Sequence, residues 1–272
     1  MKKNLPDFSR HLLFPALFLL TGFGWNGCSR KIEPVPEDDT LDFVYQYSVI
    51  SALQAGVFDG NLPFGRLKTK GDFGLGTFNR LDGELVIDQG NRYRVRFDGT
   101  VKDVSDLDTT SFVVVKFFKP DTTFTVNTPA TRLDSLQKQI AGALPANQLY
   151  AIRIKGRFPT VTARAPAPAA KPFPTLTEHL MRNQYLFNLT NTSGVAVGFL
   201  VPKYMEKTNP PGFHFHYLSD DRKTGGHVLD LTAGSVVVEI DRAQGYIVEA
   251  NTHAGYNRVK LESGNDSLPV SF

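Results

Sequence analysis

The stretch GFHFHYLSDDRKTGGHVLD, residues 212–230, decides how this chain is read. Its first half alternates aromatic residues with histidine, and side chains two apart on a strand face the same way. His214 and His216 therefore share one face. The DDRKTGG run that follows is a turn by composition. A hairpin pivoting near Asp221 and Arg222 sets His227 across from His216, on that same face. Three neutral imidazoles with an open fourth position form a catalytic zinc arrangement, whereas structural zinc sites are closed and usually contain cysteine. The plain alternative is a surface strand with incidental histidines. The chain has six histidines in all, so three in one hairpin favour the metal.

Outward from the hairpin, strand-like runs are separated by Gly, Asp and Asn turns. GTFNR (76–80), ELVID (84–88), RYRVR (92–96) and SFVVVKFF (111–118) precede it, with hairpin signals at Gln89-Gly90-Asn91 and Asp98-Gly99. YAIRIKGRF (150–158) alternates again. GVAVGFLVP (194–202) and SVVVEI (235–240) flank the hairpin. YQYSVISALQAG (45–56) has helical apolar spacing and stops at Gly56, and TRLDSLQKQIAGAL (131–144) predicts an amphipathic helix capped by Thr131. RAPAPAAKPFP (164–174) reads as an extended crossover that does not continue a sheet. The expectation is an α+β fold of two β-rich halves, 42–170 and 171–272. Their sheets are mixed or antiparallel, the second is barrel-like and carries the histidines, and a few helices complete the fold.

The chain's first 27 residues read as a leader, not as part of that fold. Lys2, Lys3 and Arg10 precede an apolar run from Leu12 to Phe23. About 12 apolar residues are too few for a bilayer, which needs ~20, and fit a signal peptide. The run ends at Gly27-Cys28, and Cys28 is the single cysteine. A small residue before a lone cysteine resembles a bacterial lipobox, with cleavage before Cys28 and acylation of its thiol. Trp25 and Asn26 are untypical there, which keeps ordinary secretion open. On the first reading the protein is an exported lipoprotein anchored at Cys28, on the periplasmic side of the outer membrane. Residues 28–41, with Pro34, Pro36 and several acids, form its tether. A lone cysteine excludes disulfide staples and any cysteine metal site in the mature domain. Removing residues 1–27 leaves 27 basic against 26 acidic residues, so nothing favours nucleic acid.

GDFGLGTFNRLDGEL (71–85) crowds glycines around acids and Thr77. No Lys-Ser or Lys-Thr follows and no helix opens there, which excludes a phosphate loop. Glycines in such a run let backbone and ligand approach closely. Taken alone, Glu84 reads as a solvated strand-edge carboxylate, and Arg164 as a solvated charge beside a proline linker.

Together, YQYSVISALQAGVFDG (45–60), the 71–85 block, GFLVPKYM (198–205) and the histidine hairpin strongly resemble the alpha-acetolactate decarboxylase family, in order from about residue 45 to 231. The resemblance implies that His214, His216 and His227 are zinc ligands and that Glu84 sits at the metal. It makes Arg164 an active-site arginine and Thr77 a residue of the pocket, and it implies a homodimer. One departure stands out. The family closes with a C-terminal tail whose glutamate reaches the metal, and the ending SLPVSF has no counterpart of it. Glu249 and Glu262 have no assignable role in the 248–263 segment, which reads as further strand, and His253 reads as an ordinary histidine. A working but weaker enzyme is expected.

The implied reaction is decarboxylation of 2-acetolactate to acetoin. Loss of carbon dioxide from a 2-hydroxy-3-keto acid leaves an enediolate, and zinc chelating the hydroxyl and carbonyl oxygens stabilises it as a Lewis acid. The 3-oxo group is its own electron sink, so no pyridoxal or thiamin is needed. Arg164 suits the departing carboxylate and Glu84 the proton. Two other classes remain: a non-catalytic zinc-binding exported lipoprotein on the same fold, and a secreted zinc hydrolase, which no HExxH motif or nucleophile supports.

Overall fold

A computed structural model describes residues 42–261. The leader, Cys28, the tether and Glu262 lie outside the described residues. In chain order the strands are β1 (Phe43–Tyr47), β2 (Leu62–Pro63), β3 (Phe73–Thr77), β4 (Glu84–Asp88), β5 (Asn91–Val95), β6 (Val101–Asp103), β7 (Thr109–Thr110) and β8 (Phe112–Lys116). They continue with β9 (Thr122–Arg132), β10 (Tyr150–Pro166), β11 (Gln184–Val201), β12 (Gly212–Ser219), β13 (Gly225–Arg242) and β14 (Gly245–Glu249). Four short helices intervene: α1 (Ile50–Gln54), α2 (Leu133–Gly142), α3 (Leu176–Asn183) and α4 (Ala254–Arg258).

Seven strands form a mixed sheet in the order β14-β1-β8-β3-β4-β5-β6, with β14 parallel to β1 and the other pairs antiparallel. Its interior strand β8, between β1 and β3, is buried on both faces, which is why FVVVK is a continuous apolar run and not an alternating one. Val113 and Val115 pack with Tyr45, Leu85 and Phe64 on one side. Val114 joins Leu75, Val86, Val195 and Phe199 on the other, where the second sheet covers the first. Each such side chain contributes roughly 1.5–3 kcal/mol over leaving it exposed.

The second sheet runs β10-β11-β12-β13-β9, and β10 also pairs with β13. That extra pairing closes β10, β11, β12 and β13 into a ring, the expected barrel-like half. Ile152, Ile154, Val161, Tyr217 and Val236 fill it, with Leu136 and Ile140 of α2 packed alongside. Two buried ion pairs cross between the sheets. Lys116 Nζ on β8 lies 2.5 Å from Asp241 Oδ2 on β13, and Arg153 on β10 grips Asp88 on β4 at 2.7 and 3.0 Å. Such pairs matter through the cost of breaking them, about 3–5 kcal/mol when one partner is lost.

Several expectations need correction. The two sheets part between β8 and β9, near residue 120, and not near 170. β9 and β10 belong to the ring, and β14 returns from the chain's far end to the first sheet. The 164–174 run does continue a sheet as far as Pro166, the last residue of β10, where a missing N–H costs the ladder little. Residues 45–56 are only partly helical: Ser48, at φ 67°, breaks the run between β1 and α1. Thr131 does not cap α2. It is the penultimate residue of β9, where its hydroxyl lies 2.6 Å from that of Thr128, and Arg132 ends the strand and occupies the cap position without a side-chain bond. The 248–263 segment is strand only at Val248 and Glu249, which finish β14, and Ala254–Arg258 form α4 in place of a further strand.

Candidate metal centre

β12 and β13 meet as expected. His216 is the direct cross-strand partner of His227, and His214 lies two residues back on the same face. Arg164 on β10 flanks His227 from the other side. Gly226, at φ +133°, makes this crowding possible, because a Cβ there would sit 2.5 Å from the Arg164 carbonyl oxygen and push β13 off β10. The first sheet supplies the opposite wall, with Thr77 on β3 paired to Glu84 on β4.

The three rings stand with centroids 4.9–5.2 Å apart, all buried. His214 Nε2 lies 3.2 Å and His216 Nε2 3.3 Å from His227 Nδ1. A tetrahedral ion bound by nitrogens at 2.0–2.1 Å holds its ligand atoms about 3.3 Å apart. Both spacings from His227 thus match ligands on one ion, and the three ligand atoms all lie within 4.8 Å of one another. His216 Nδ1 donates to the Leu85 carbonyl at 2.8 Å, which leaves the Nε2 lone pair facing the cluster. Burial lowers the basicity of all three rings, His216 to about 4 and the other two well below the usual histidine value. They are neutral donors at neutral pH, as a metal requires.

Glu84 Oε2 lies 3.5 Å from His216 Nε2. Burial pushes its carboxyl up to about 8 against the opposing pull of the Arg164 charge. Arg164 is depressed by its own burial, with Glu84 acting the other way. A carboxyl of that pKa both gives and takes a proton near neutrality. Arg164 Nη1 donates to Gln184 Oε1 at 2.9 Å, and its buried Nε has no hydrogen-bond partner among the described residues. Thr77 Oγ1 donates to the Gly83 carbonyl at 2.9 Å and so ties down the turn that delivers Glu84.

All six residues singled out in the sequence therefore line one cleft, of about 490 Å³ of empty space. Ile50, Leu81, Phe112, Leu176 and Leu180 give it an apolar remainder. Glu249 is engaged elsewhere by Tyr45 and Arg66, and His253 caps α4 by accepting from Gly255 N. Sequence reading missed α3, which walls the cleft, and Gln184 at its end. The Thr175-Leu-Thr-Glu178 capping box was the available signal for that helix.

The family model described as alpha-acetolactate decarboxylase matches residues 44–263. The chain is 37% identical over 233 residues to the alpha-acetolactate decarboxylase of Methanosarcina mazei, covering 85% of this chain and 80% of the relative. It is 36% identical over 228 residues to that of Bacillus subtilis, covering 84% and 89%. The crystal structure of alpha-acetolactate decarboxylase from Bacillus subtilis strain 168 superposes with a TM-score of 0.80 at 34% identity, over 82% of this chain and 95% of that one.

Proposed function

The chain belongs to the alpha-acetolactate decarboxylase family and is a carboxy-lyase, and we propose that it converts 2-acetolactate to acetoin and carbon dioxide at a zinc ion held by His214, His216 and His227. The observation carrying the metal part is the 3.2 and 3.3 Å spacing of three neutral, buried imidazole nitrogens. When bound, the ion supplies Lewis-acid stabilisation of the negative charge that develops on the substrate oxygens.

The protein's own groups do the rest. Arg164 takes the substrate carboxylate through donors that Gln184 leaves uncommitted, a planar, always-charged fork suited to that group. As the bond to the carboxylate breaks, its electron pair passes to the adjacent carbonyl. Glu84, protonated near neutrality, then delivers a proton to the carbon that lost carbon dioxide. A single buried donor on one wall delivers the proton from one face, an arrangement that favours product of one handedness. The Leu81, Leu176 and Leu180 side chains exclude water from the cleft and accommodate the substrate methyl groups. The same reading includes export with lipid attachment at Cys28 and a homodimer. Among the described residues no helix is long and apolar enough to cross a membrane.

The test is acetoin formation from each acetolactate enantiomer by purified protein, before and after chelation. Chelator is expected to abolish turnover and zinc to restore it. Folded, zinc-loaded protein that forms no acetoin from either enantiomer would overturn the proposal in favour of a zinc-binding protein.

A further inference from the structure

Gln184 is the residue at which α3 gives way to β11, and its side chain meets the one arginine of the cleft. The placement is reinforced from three directions. In the β10–β11 register Gln184 lies opposite Pro166, two residues beyond Arg164. α3 is fastened to the next residue of that stretch on both of its polar groups: Ala167 N donates to the Asn183 carbonyl at 2.8 Å, and the buried His179 Nε2 stands 2.8 Å from the Ala167 carbonyl oxygen. The Thr175–Glu178 capping box fixes the helix at its other end. Arg164 Nη1 is thereby tied at 2.9 Å to an acceptor that has little freedom to move.

The rest of the guanidinium is left in an unusual state. Nε is buried and has no acceptor among the described residues, although an unpaired buried donor costs about 1–3 kcal/mol. A strong donor kept unsatisfied inside a ligand cleft is a place prepared for an acceptor from outside. We propose that Gln184 is a positioning residue. By holding Nη1 it sets the plane of the Arg164 fork so that the remaining N–H groups meet the substrate carboxylate, an inference that rests on the decarboxylase reading above. The amide suits the task because it accepts a hydrogen bond without cancelling the charge of the guanidinium, whereas a glutamate there would compete with the substrate's own carboxylate.

The experiment compares wild type with Gln184→Leu and, in case leucine perturbs the fold, Gln184→Met, the first without an acceptor at that position and the second with only a weak thioether sulfur. Zinc content and thermal midpoint are read first, then kcat and KM for acetolactate. Inhibition is also read, by acetoin, which lacks a carboxylate, and by 2-hydroxyisobutyrate, which has one. Either variant is expected to raise KM and the 2-hydroxyisobutyrate inhibition constant roughly tenfold, the scale of one hydrogen bond to a charged group. Acetoin inhibition and zinc content should stay as in wild type. Placed on an Arg164→Ala background, Gln184→Leu should add nothing further, because its effect passes through that arginine. Equal weakening of both inhibitors, or an additive loss in the double variant, overturns the proposal. If wild type forms no acetoin the decarboxylase reading fails by itself. Calorimetric binding of 2-hydroxyisobutyrate to wild type and Gln184→Leu then decides the Gln184 proposal, which falls if the two affinities are equal.

Discussion

Glu84 Oε2 lies 3.5 Å from His216 Nε2, so the buried carboxyl and the metal-facing nitrogen share one small space while coming from different sheets. The histidine is fixed by the Leu85 carbonyl, the residue next to Glu84 in the chain, so β4 places both the proton donor and the ring beside it. Glu84→Gln keeps the shape and removes the transferable proton. The variant should retain its zinc, which the three histidines hold, and lose ~10²-fold or more in kcat, the usual scale for a general acid–base group. Paired zinc analysis and steady-state kinetics check this; a variant with kcat within a few fold of wild type assigns the proton elsewhere.

His216→Ala removes one corner of the nitrogen triangle and leaves two imidazoles that are not enough to close a zinc site. Metal analysis after dialysis should show well under one zinc per chain. A full equivalent retained in this variant means that the ion sits elsewhere.

Arg164→Lys retains the charge but not the fork. A single ammonium cannot satisfy Gln184 and a substrate carboxylate with the same fixed geometry. A loss on the order of 10–100-fold in kcat/KM is expected, corresponding to one or two hydrogen bonds to charged groups. Unchanged kcat/KM would remove Arg164 from substrate binding.

The histidine hairpin was legible because it obeys the two-residue period and because its turn chemistry sets the register, so the sequence alone pairs His216 with His227. β4 and β5 were legible for the same reason, through Gln89 and Gly90. β9 was not: it has one buried residue, Val126, and an edge strand solvated on both faces carries no apolar alternation to read. Tyr45 and Tyr47 misled toward a helix because β1 is buried on both faces, Gln46 included, so its sequence shows no apolar-in, polar-out alternation with a solvated face. The sheet boundary escaped because a closed ring is made by the long-range β10–β13 pairing, which leaves no local mark in either strand. Gln184 was invisible for a different reason. Its role is a contact with Arg164 across 20 residues, between two side chains with no shared motif.

Cys28→Ala tests export and anchorage. If Cys28 is acylated after cleavage of the leader, wild type should fractionate with membranes and the variant with the soluble periplasmic or secreted protein. Wild type already found in the soluble fraction defeats the lipid anchor.

The stability of the metal-free protein should peak close to neutral pH, and the sign on each side follows from the buried groups of the site. Below the peak the histidines dominate. Their folded-state values lie below the unfolded value of about 6.5, His216 at about 4, so between those limits the unfolded chain binds protons that the folded site refuses. Stability is therefore lost as pH falls from about 6.5 toward 4. Glu84 and Asp241, pushed up by burial to about 8 and about 6, act in the opposite direction, because the folded state holds protons that the unfolded state releases. Three protons withheld outweigh two retained, so the acid limb still descends. Above neutrality the unfolded histidines no longer take up protons and Glu84 remains. Its stabilising contribution is present at low pH and is lost as pH rises toward 8. Urea midpoints of chelated protein measured from pH 4.5 to 8.5 should trace both limbs. Glu84→Gln should flatten the alkaline limb and steepen the acid limb, where the retained proton no longer offsets the histidines, whereas a midpoint that rises steadily from pH 7 to 8.5 in wild type would show that Glu84 is ionised in the folded apoprotein.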